Sequence, residues 1–299
     1  MMRSLYSAIS GLKNHQVKMD VIGNNIANVN TTGFKRSRTT FSTMLSQTLK
    51  GASAPVGAAP STQGGTNPVQ VGLGAMLGSI DQVMTQGSAQ STGKDTDLML
   101  QGAGFFILNN NGQRVYTRAG GFSFDSIGNL IDPATGALVQ GVMADQAAGT
   151  ITWGTPPTLD NIQFKLGDTW NGVATTSLTS FSIDQSGIIT GVYFDSSNNT
   201  SSTHQIGQIA VAKFANDAGL ANIGGNFFSE TNNSGTADIG EPTKNGRATI
   251  IPNTVEMSNV DLSQEFTDMI VTQRGFQANS RVITVSDSLL QELIDLKRQ

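Results

Sequence analysis

Leu5, Leu12, Met19 and Ile26 recur every seven residues near the N-terminus, and Ala8, His15, Ile22 and Val29 follow each of them by three. That spacing marks the two core positions of a helical seam about 25 residues long, with His15 as its one polar intrusion. Gly11 and Gly23 each weaken such a helix by about 1 kcal/mol relative to alanine, so it is marginal alone. The C-terminus carries a longer version. Leu262, Met269, Phe276, Ile283 and Leu290 hold one register through five repeats, flanked by Phe266, Ile270, Leu293 and Ile294. A helix is predicted over 259–297, opened by a capping-box pattern at Ser258 and Asp261. Asp261, Glu265 and Asp268 near its start, and Lys297 and Arg298 at its end, complement the helix dipole. The nine seven-residue positions are the expected assembly seam. A lone antiparallel pair buries little, so the stripes are best satisfied against each other and against copies in other chains.

The middle of the chain changes period. Residues 50–70 are rich in Gly, Ala, Ser, Thr and Pro and read as linker. From Val71 onward the pattern is short strands and turns. Phe105–Leu108 and Arg114–Arg118 flank Asn-Asn-Asn-Gly, a hairpin signal because Asn-Gly tolerates positive φ. Phe122–Phe124 and Leu130–Ile131 flank Asp-Ser-Ile-Gly-Asn, and Phe181–Ile183 and Ile188–Thr190 flank Asp-Gln-Ser-Gly. Ile206–Phe214 and Ala248–Ile251 are further strand candidates, and turns at this spacing predict an all-β unit. Residues 145–178, with Trp153, Trp170 and the Pro156-Pro157 pair, read as a small outer insertion. The predicted class is α+β and multi-domain, with paired terminal helices in a coiled coil enclosing a mainly β middle. Its expected parts are an N-terminal helix at 1–34, a linker at 35–70, a β-domain at 71–144 and 179–257 interrupted by the insertion, and a C-terminal helix at 258–299.

Composition narrows the function. Charged residues are 13% of the 299, about half the usual ~25% for a soluble domain. Ser, Thr, Asn, Gln and Gly replace them, which suits β-structure with many turns or surfaces covered by neighbours, not a free enzyme with a strongly solvated surface. Net charge is −4, against nucleic-acid binding through a general basic field. Residues 1–50 nevertheless hold seven Lys/Arg and only Asp20, a pattern read as a solvated or partner-facing helix rather than an arm for nucleic acid or acidic lipid. The absence of cysteine removes disulfides and thiolate chemistry. No run approaches the ~18 apolar residues of a membrane span, so no membrane insertion is expected. Met1–Ser10 lacks the apolar core of a cleavable signal peptide.

Candidate chemistry is sparse. His15 and His204 stand far apart without metal-spacing partners, and no HExxH pattern occurs. Gly72–Gly78 has one residue too many for GxGxxG, with no helix pattern after it. Asp95 and Asp97 sit near a turn, and Lys35, Arg36 and Arg38 beside Phe34 form a short basic cluster without further aromatics. No catalytic residue, cofactor or metal ligand is expected. An enzyme or carbohydrate-binding β-protein would need acids converging near Trp153 or Trp170. A secreted adhesin would fit the β-rich middle but leave the terminal seams unexplained.

The segment MDVIGNNIANVNTTGF (Met19–Phe34), followed by KRSR, resembles the N-terminal signature of the flagellar rod and hook protein family, carried here by Asn24, Asn25, Ala27, Asn28, Gly33 and Phe34. SNVDLSQEFTDMIVTQRGFQANSR (Ser258–Arg281) looks like the matching C-terminal signature. YTRAGGFSFDSIGNLID (Tyr116–Asp132) and the Gly207–Gly225 stretch are similar to the family's β-domain. The resemblance implies a self-assembling helical tube, with the terminal helices lining a central channel and the β-domain outside. It also implies export through the flagellar type III apparatus to an extracellular position on the flagellum. The implied neighbours are the distal rod protein, a hook cap and the hook–filament junction proteins. Within the family, MMRSLYSAISG, the VDLSQEF segment (Val260–Phe266) and the insertion look more like hook members. Distal rod members tend to be shorter and to carry Asn-Val-x-x-Glu-Glu-Leu at that segment.

Overall fold

The computed structural model describes residues 2–55, 64–145, 149–154, 157–171 and 175–298. The chain forms two compact units: residues 1–27, 37–82 and 261–299 make the first, and 28–36 and 83–260 the second.

The first unit holds helix α1 (Met2–Ala27) and helix α2 (Leu262–Arg298), with four strands between them in sequence. Strands β1 (Ser37–Thr43) and β4 (Ala75–Gln82) pair antiparallel, as do β2 (Ser46–Lys50) and β3 (Val69–Gly72). The expected linker over 35–70 is thus half strand in its described parts, and 71–82 belongs with the helices rather than with the β-domain. Threonines and alternate apolar residues favour these extended ribbons despite the Gly/Ala/Pro-rich stretch between them, much of which lies outside the described residues. The cap of α2 also differs from the capping-box expectation. Asp261 alone caps it, its Oδ1 accepting from the backbone N–H of Ser263 (2.9 Å) and Gln264 (3.3 Å). Ser258 instead accepts from the N–H of Val260, and residues 258–260 stay outside the helix.

The two helices run antiparallel. Asn25 lies opposite Glu265, His15 opposite Gly275, and Gly11 opposite Asn279. A side chain on Gly275 would meet the His15 ring at 2.7 Å, so glycine there lets the imidazole seat against the helix backbone.

The second unit is built on an antiparallel sheet. Its main path runs Thr176–Ile183, Ile188–Asp195, Thr200–Ile209, Leu138–Met143, Phe105–Asn110, Gln113–Thr117, Phe227–Ser229 and Ala221–Gly224. The three turn signals form the hairpins that the sequence predicts. Asn111 and Gly112 both take positive φ between Phe105–Asn110 and Gln113–Thr117. The Asp125 and Asp184 carboxylates each accept backbone N–H groups across their turns. Two apolar clusters fill this unit, with Leu98, Phe106, Leu130 and Ile209 in one and Phe105, Tyr116 and Phe228 in the other. Edge-to-face contacts fix the rings, as between Phe106 and Phe122 at 5.2 Å.

The expected outer insertion at 145–178 is not separate in its described residues. Ile162 and Phe164 are buried in the main cluster, and Asp160–Asn161 pairs with Leu138–Met143. Its weak strand pattern reflects a short edge pairing that contributes core side chains. Residues 146–148, 155–156 and 172–174, including Pro156, lie outside the described residues.

Both tryptophans lie in the second unit, whereas both α-helices lie in the first. The first unit has few buried apolar side chains. In urea, the helical circular-dichroism signal is therefore expected to fall before the tryptophan fluorescence, by about 1 M in midpoint. Coincident transitions would contradict two separately cohesive units.

Candidate functional site: a buried polar knot and an uncovered helical unit

Two features beyond the β core bear on what the molecule does. The first is a buried polar cluster in the second unit, centred on Glu256. Its carboxylate is fully buried and accepts from Lys35 Nζ at 2.6 Å, the Gly87 N–H at 2.8 Å and Arg118 Nη1 at 3.4 Å. Lys35 also donates to the Thr85 carbonyl, and Arg118 Nη2 donates to the Gly102 carbonyl at 2.7 Å. The Arg118 guanidinium lies 5.2 Å from the centroid of the Phe105 ring. Burial pushes the pKa of both cations down, and the Glu256 carboxylate pushes them part of the way back. The nearby Asp217 carboxyl, itself raised by burial, also attracts Arg118.

Every segment by which the chain enters or leaves this unit is tied into the cluster. The Gly33 N–H donates to the Glu256 carbonyl at 2.8 Å, and the Arg36 N–H to Asn259 Oδ1 at 2.8 Å. Asn259 Nδ2 donates in turn to the Val83 and Thr85 carbonyls. Residues 33–36, 83–87 and 256–259 thus form one hydrogen-bonded stem.

The N-terminal signature residues find physical roles here and at the end of α1. Gly33 takes φ +69°, and a Cβ on it would lie 2.4 Å from the Ala119 nitrogen, so glycine is required twice over. Asn28 Oδ1 accepts from Thr31 Oγ1, and Thr31 accepts at its carbonyl from the Phe34 N–H, which closes the turn after α1. Asn25, buried in the first unit, clasps Ser37: its Oδ1 accepts the Ser37 N–H and its Nδ2 donates to the Ser37 carbonyl, both at 2.9 Å. Its Nδ2 also reaches Glu265 Oε2 at 3.2 Å. Asn24 and Ala27 are exposed on the last turns of α1.

The second feature is the surface of the helical unit. Among the described residues, 24 large apolar side chains are exposed, and all but Ile127, Leu166 and Ile223 belong to the first unit. Leu45 is 85% exposed, Tyr6 64% and Ile270 59%. Leu5, Leu12, Met19 and Ile26 are half-buried on α1, as are Met269, Phe276, Ile283 and Leu290 on α2, while Leu262 is exposed. The buried row of α2 is a different and polar one, Glu265, Thr272 and Ser286, with Asn279 in the same register and half-buried. On α1 the buried residues are Ala8, Ile22 and Asn25. The seven-residue spacing of this row is visible in the sequence, but its residues are polar, so an apolar pattern does not mark it. Lys35 was read as part of a solvated basic cluster, yet it is buried at the centre of the knot. Nothing in the sequence links Glu256 to Lys35 or Arg118, which lie 221 and 138 residues away along the chain.

Among the described residues, one carboxylate lines the cleft beside each tryptophan, Asp168 at Trp170 and Glu241 at Trp153. Trp170 stacks on His204 at 4.5 Å beside a cleft of about 250 Å³, where Asp168 is the one carboxylate and accepts the Lys165 N–H at 2.8 Å. Trp153 donates to Gln208 Oε1 at 2.7 Å.

Removing Glu256 leaves two buried cations without their carboxylate. Glu256→Ala is expected to destabilise the second unit by about 3–5 kcal/mol in urea unfolding followed by tryptophan fluorescence. Adding Lys35→Met to that variant should recover part of the loss. His15 yields a pH dependence. Burial, and secondly Lys18, hold its pKa below the usual 6.5, and its Nδ1 is buried without a hydrogen-bond partner. The folded helix pair prefers the neutral ring, so its stability is unaffected above about pH 6.5 and falls as the pH drops below that value. The melting temperature of the helical signal should be lower at pH 5 than at pH 8, and His15→Phe should reduce the difference.

Comparison with known proteins places these features. Residues 5–35 match the family described as flagella basal body rod protein, 99–191 the flagellar hook protein FlgE/F/G D1 domain, and 251–296 the flagellar basal body rod FlgEFG protein C-terminal region. The chain is 45% identical over its whole length to the flagellar basal-body rod protein FlgG of Bacillus subtilis, also matched over its whole length. It is 34% identical to the flagellar hook protein FlgE of Borreliella burgdorferi and 32% identical to that of Treponema pallidum. Those alignments cover 99% and 100% of the chain and all of each relative, and run to 450 and 472 positions. The chain therefore belongs to the family of flagellar rod and hook proteins and is a structural protein of the flagellum, not an enzyme.

Proposed function

We propose that this chain is the subunit of the flagellar hook, a hollow helical polymer that passes torque from rod to filament while bending. The observation that carries the axial role is the one-sided distribution of exposed apolar surface. The second unit has closed its own core, whereas the helical unit leaves apolar side chains in water along both helices and both ribbons. A surface of that extent marks an interaction site. Copies of the same chain cover it: the helices become a coiled-coil inner layer, with Leu5, Leu12, Met19, Ile26, Leu262, Met269, Phe276, Ile283 and Leu290 as its seam. Each such side chain, once fully buried, contributes about 1.5–3 kcal/mol. The β units form the outer layer, where few charges and many small polar residues let neighbours slide as the tube bends.

The choice of hook rests on the VDLSQEF segment at Val260–Phe266 and on the similarity to hook proteins along the entire chain. A second reading, the distal rod subunit, is favoured by the Bacillus subtilis relative named as a rod protein, whose alignment is no longer than this chain. In either role the chain leaves the cell through the flagellar type III apparatus and meets rod, cap and junction proteins at the ends of its polymer.

Electron microscopy of basal bodies from a strain lacking the gene separates the roles. Complete rods without hooks are expected. Rods that stop short would make this the distal rod subunit, and normal rods and hooks would remove both readings. Ile270→Asp, at an exposed position of α2, is expected to leave monomer stability within about 0.5 kcal/mol while abolishing polymer formation in the microscope.

A further inference from the structure

The dipeptide Asn-Gly occurs three times in the chain, at 111–112, 171–172 and 245–246. A glycine after asparagine leaves the intervening peptide nitrogen sterically open, so that it can attack the asparagine side-chain carbonyl. The first and last dipeptides lie in similar turns of the second unit, whereas Gly172 falls outside the described residues. Asn111 and Gly112 take φ +50° and +86°, and Asn245 and Gly246 take φ +54° and +70°. Pairing of Asn110 with Gln113 closes the first turn. The Arg247 N–H on the Lys244 carbonyl, at 3.0 Å, closes the other.

The two turns differ at the attacking nitrogen. The Gly112 N–H donates to Asn109 Oδ1 at 2.8 Å, and its turn ends a hairpin of five consecutive cross-strand pairs. The Gly246 N–H has no hydrogen-bond partner among the described residues, and Asn245 is exposed to water. Three cations surround this second dipeptide. Lys244 and Arg247 each hold a carboxylate at 2.6 Å, Glu241 and Asp238 respectively. Lys213 Nζ stands 3.2 Å from where a Cβ on Gly246 would lie, and it makes no ion pair among the described residues. A cation there stabilises the negative charge that develops as the nitrogen attacks.

We infer that Asn245 is a site of self-modification, converting to aspartate and isoaspartate in the folded protein while Asn111 is protected. The Gly246 nitrogen loses its proton and bonds to Asn245 Cγ. The Cγ–Nδ2 bond breaks, and the amide nitrogen leaves with that proton as ammonia, closing a five-membered succinimide. Water then opens the ring at either carbonyl. Each event places a carboxylate near Lys213 and lowers the chain's net charge of −4 by one unit. The modification is independent of the function proposed above.

The native chain carries its own control. Purified full-length protein is held at mildly alkaline pH for weeks, folded or in urea, and the peptides holding Asn111 and Asn245 are followed by mass spectrometry. Chromatography separates isoaspartate from aspartate. In the folded chain Asn245 is expected to convert about tenfold faster than Asn111, and in urea the two rates should converge. Equal rates in the folded chain, or a faster Asn111, overturn the inference. So does an Asn245 that stays intact in the folded protein while the unfolded chain reacts. Asn109→Ala frees the Gly112 nitrogen and should raise the rate at Asn111 alone; no rise overturns the protection assigned to that hydrogen bond. Lys213→Met should slow Asn245 several-fold in the folded chain but not in urea, and Lys213→Arg should keep the native rate. An unchanged rate in Lys213→Met, with tryptophan fluorescence reporting a folded β unit, overturns the part given to Lys213.

Discussion

The carboxylate of Glu256 holds the molecule's plan together. A fully buried anion is tolerable only because two cations and a backbone N–H meet it, and those cations are buried only because the anion is there. Each partner comes from a different stretch: Lys35 follows the first helix, Arg118 lies mid-domain, and Glu256 precedes the second helix. Placing the charge thus requires the β unit to be complete and both flanking segments to be in position. Leaving any partner unmatched is costly, and that cost makes the stem a single cooperative object. Asn259 and Gly33 extend it with neutral hydrogen bonds that need the same alignment.

The rest of the molecule divides according to what each unit does with its apolar surface. The β unit resembles an ordinary globular domain, with aromatic rings packed edge to face and its turns held by aspartates. The helical unit has a narrow polar line of contact, formed by Glu265, Thr272, His15 on Gly275, and Asn279 against Gly11. Small residues and hydrogen bonds let the helices approach while their larger side chains stay half outside. Such a pair is specified in register yet gains little from pairing alone, which fits a chain whose stability is completed by neighbours.

Much of this was legible in the sequence, and for physical reasons. Local signals survived: Asn111-Gly112 fixed a hairpin because few residues take positive φ, and the terminal periodicities marked helices because 3.6-residue geometry sorts side chains by face. What failed was whatever depended on distant partners. Lys35 beside Arg36 and Arg38 looks like a solvated cluster until Glu256, 221 residues away, is brought to it. The stretch before Val71 reads as linker because Gly, Ala and Pro dominate it, yet Ser46–Lys50 pairs with Val69–Gly72. The row that buries α2 is polar and so escapes an apolar pattern, yet Asn25 on the partner helix makes Glu265 a fitting residue there. The nine positions of the expected seam all lie on the two helices, where eight are half-buried and Leu262 is exposed.

Both ends of the polypeptide lie in the helical unit, and the β unit is strung between them as an insertion. Such wiring separates two kinds of evolutionary change. Substitutions on the helices alter the helix pair, whereas extra residues in a β hairpin, such as the turn around Asn198 and Asn199, leave the helix register untouched. Lengthening a surface loop is cheap, since each doubling costs only about 0.6 kcal/mol of closure entropy. Two hook-protein relatives match this chain over alignments of 450 and 472 positions, so they carry residues beyond those of this chain. The β unit can thus change in length while the contacts between the two helices stay as they are.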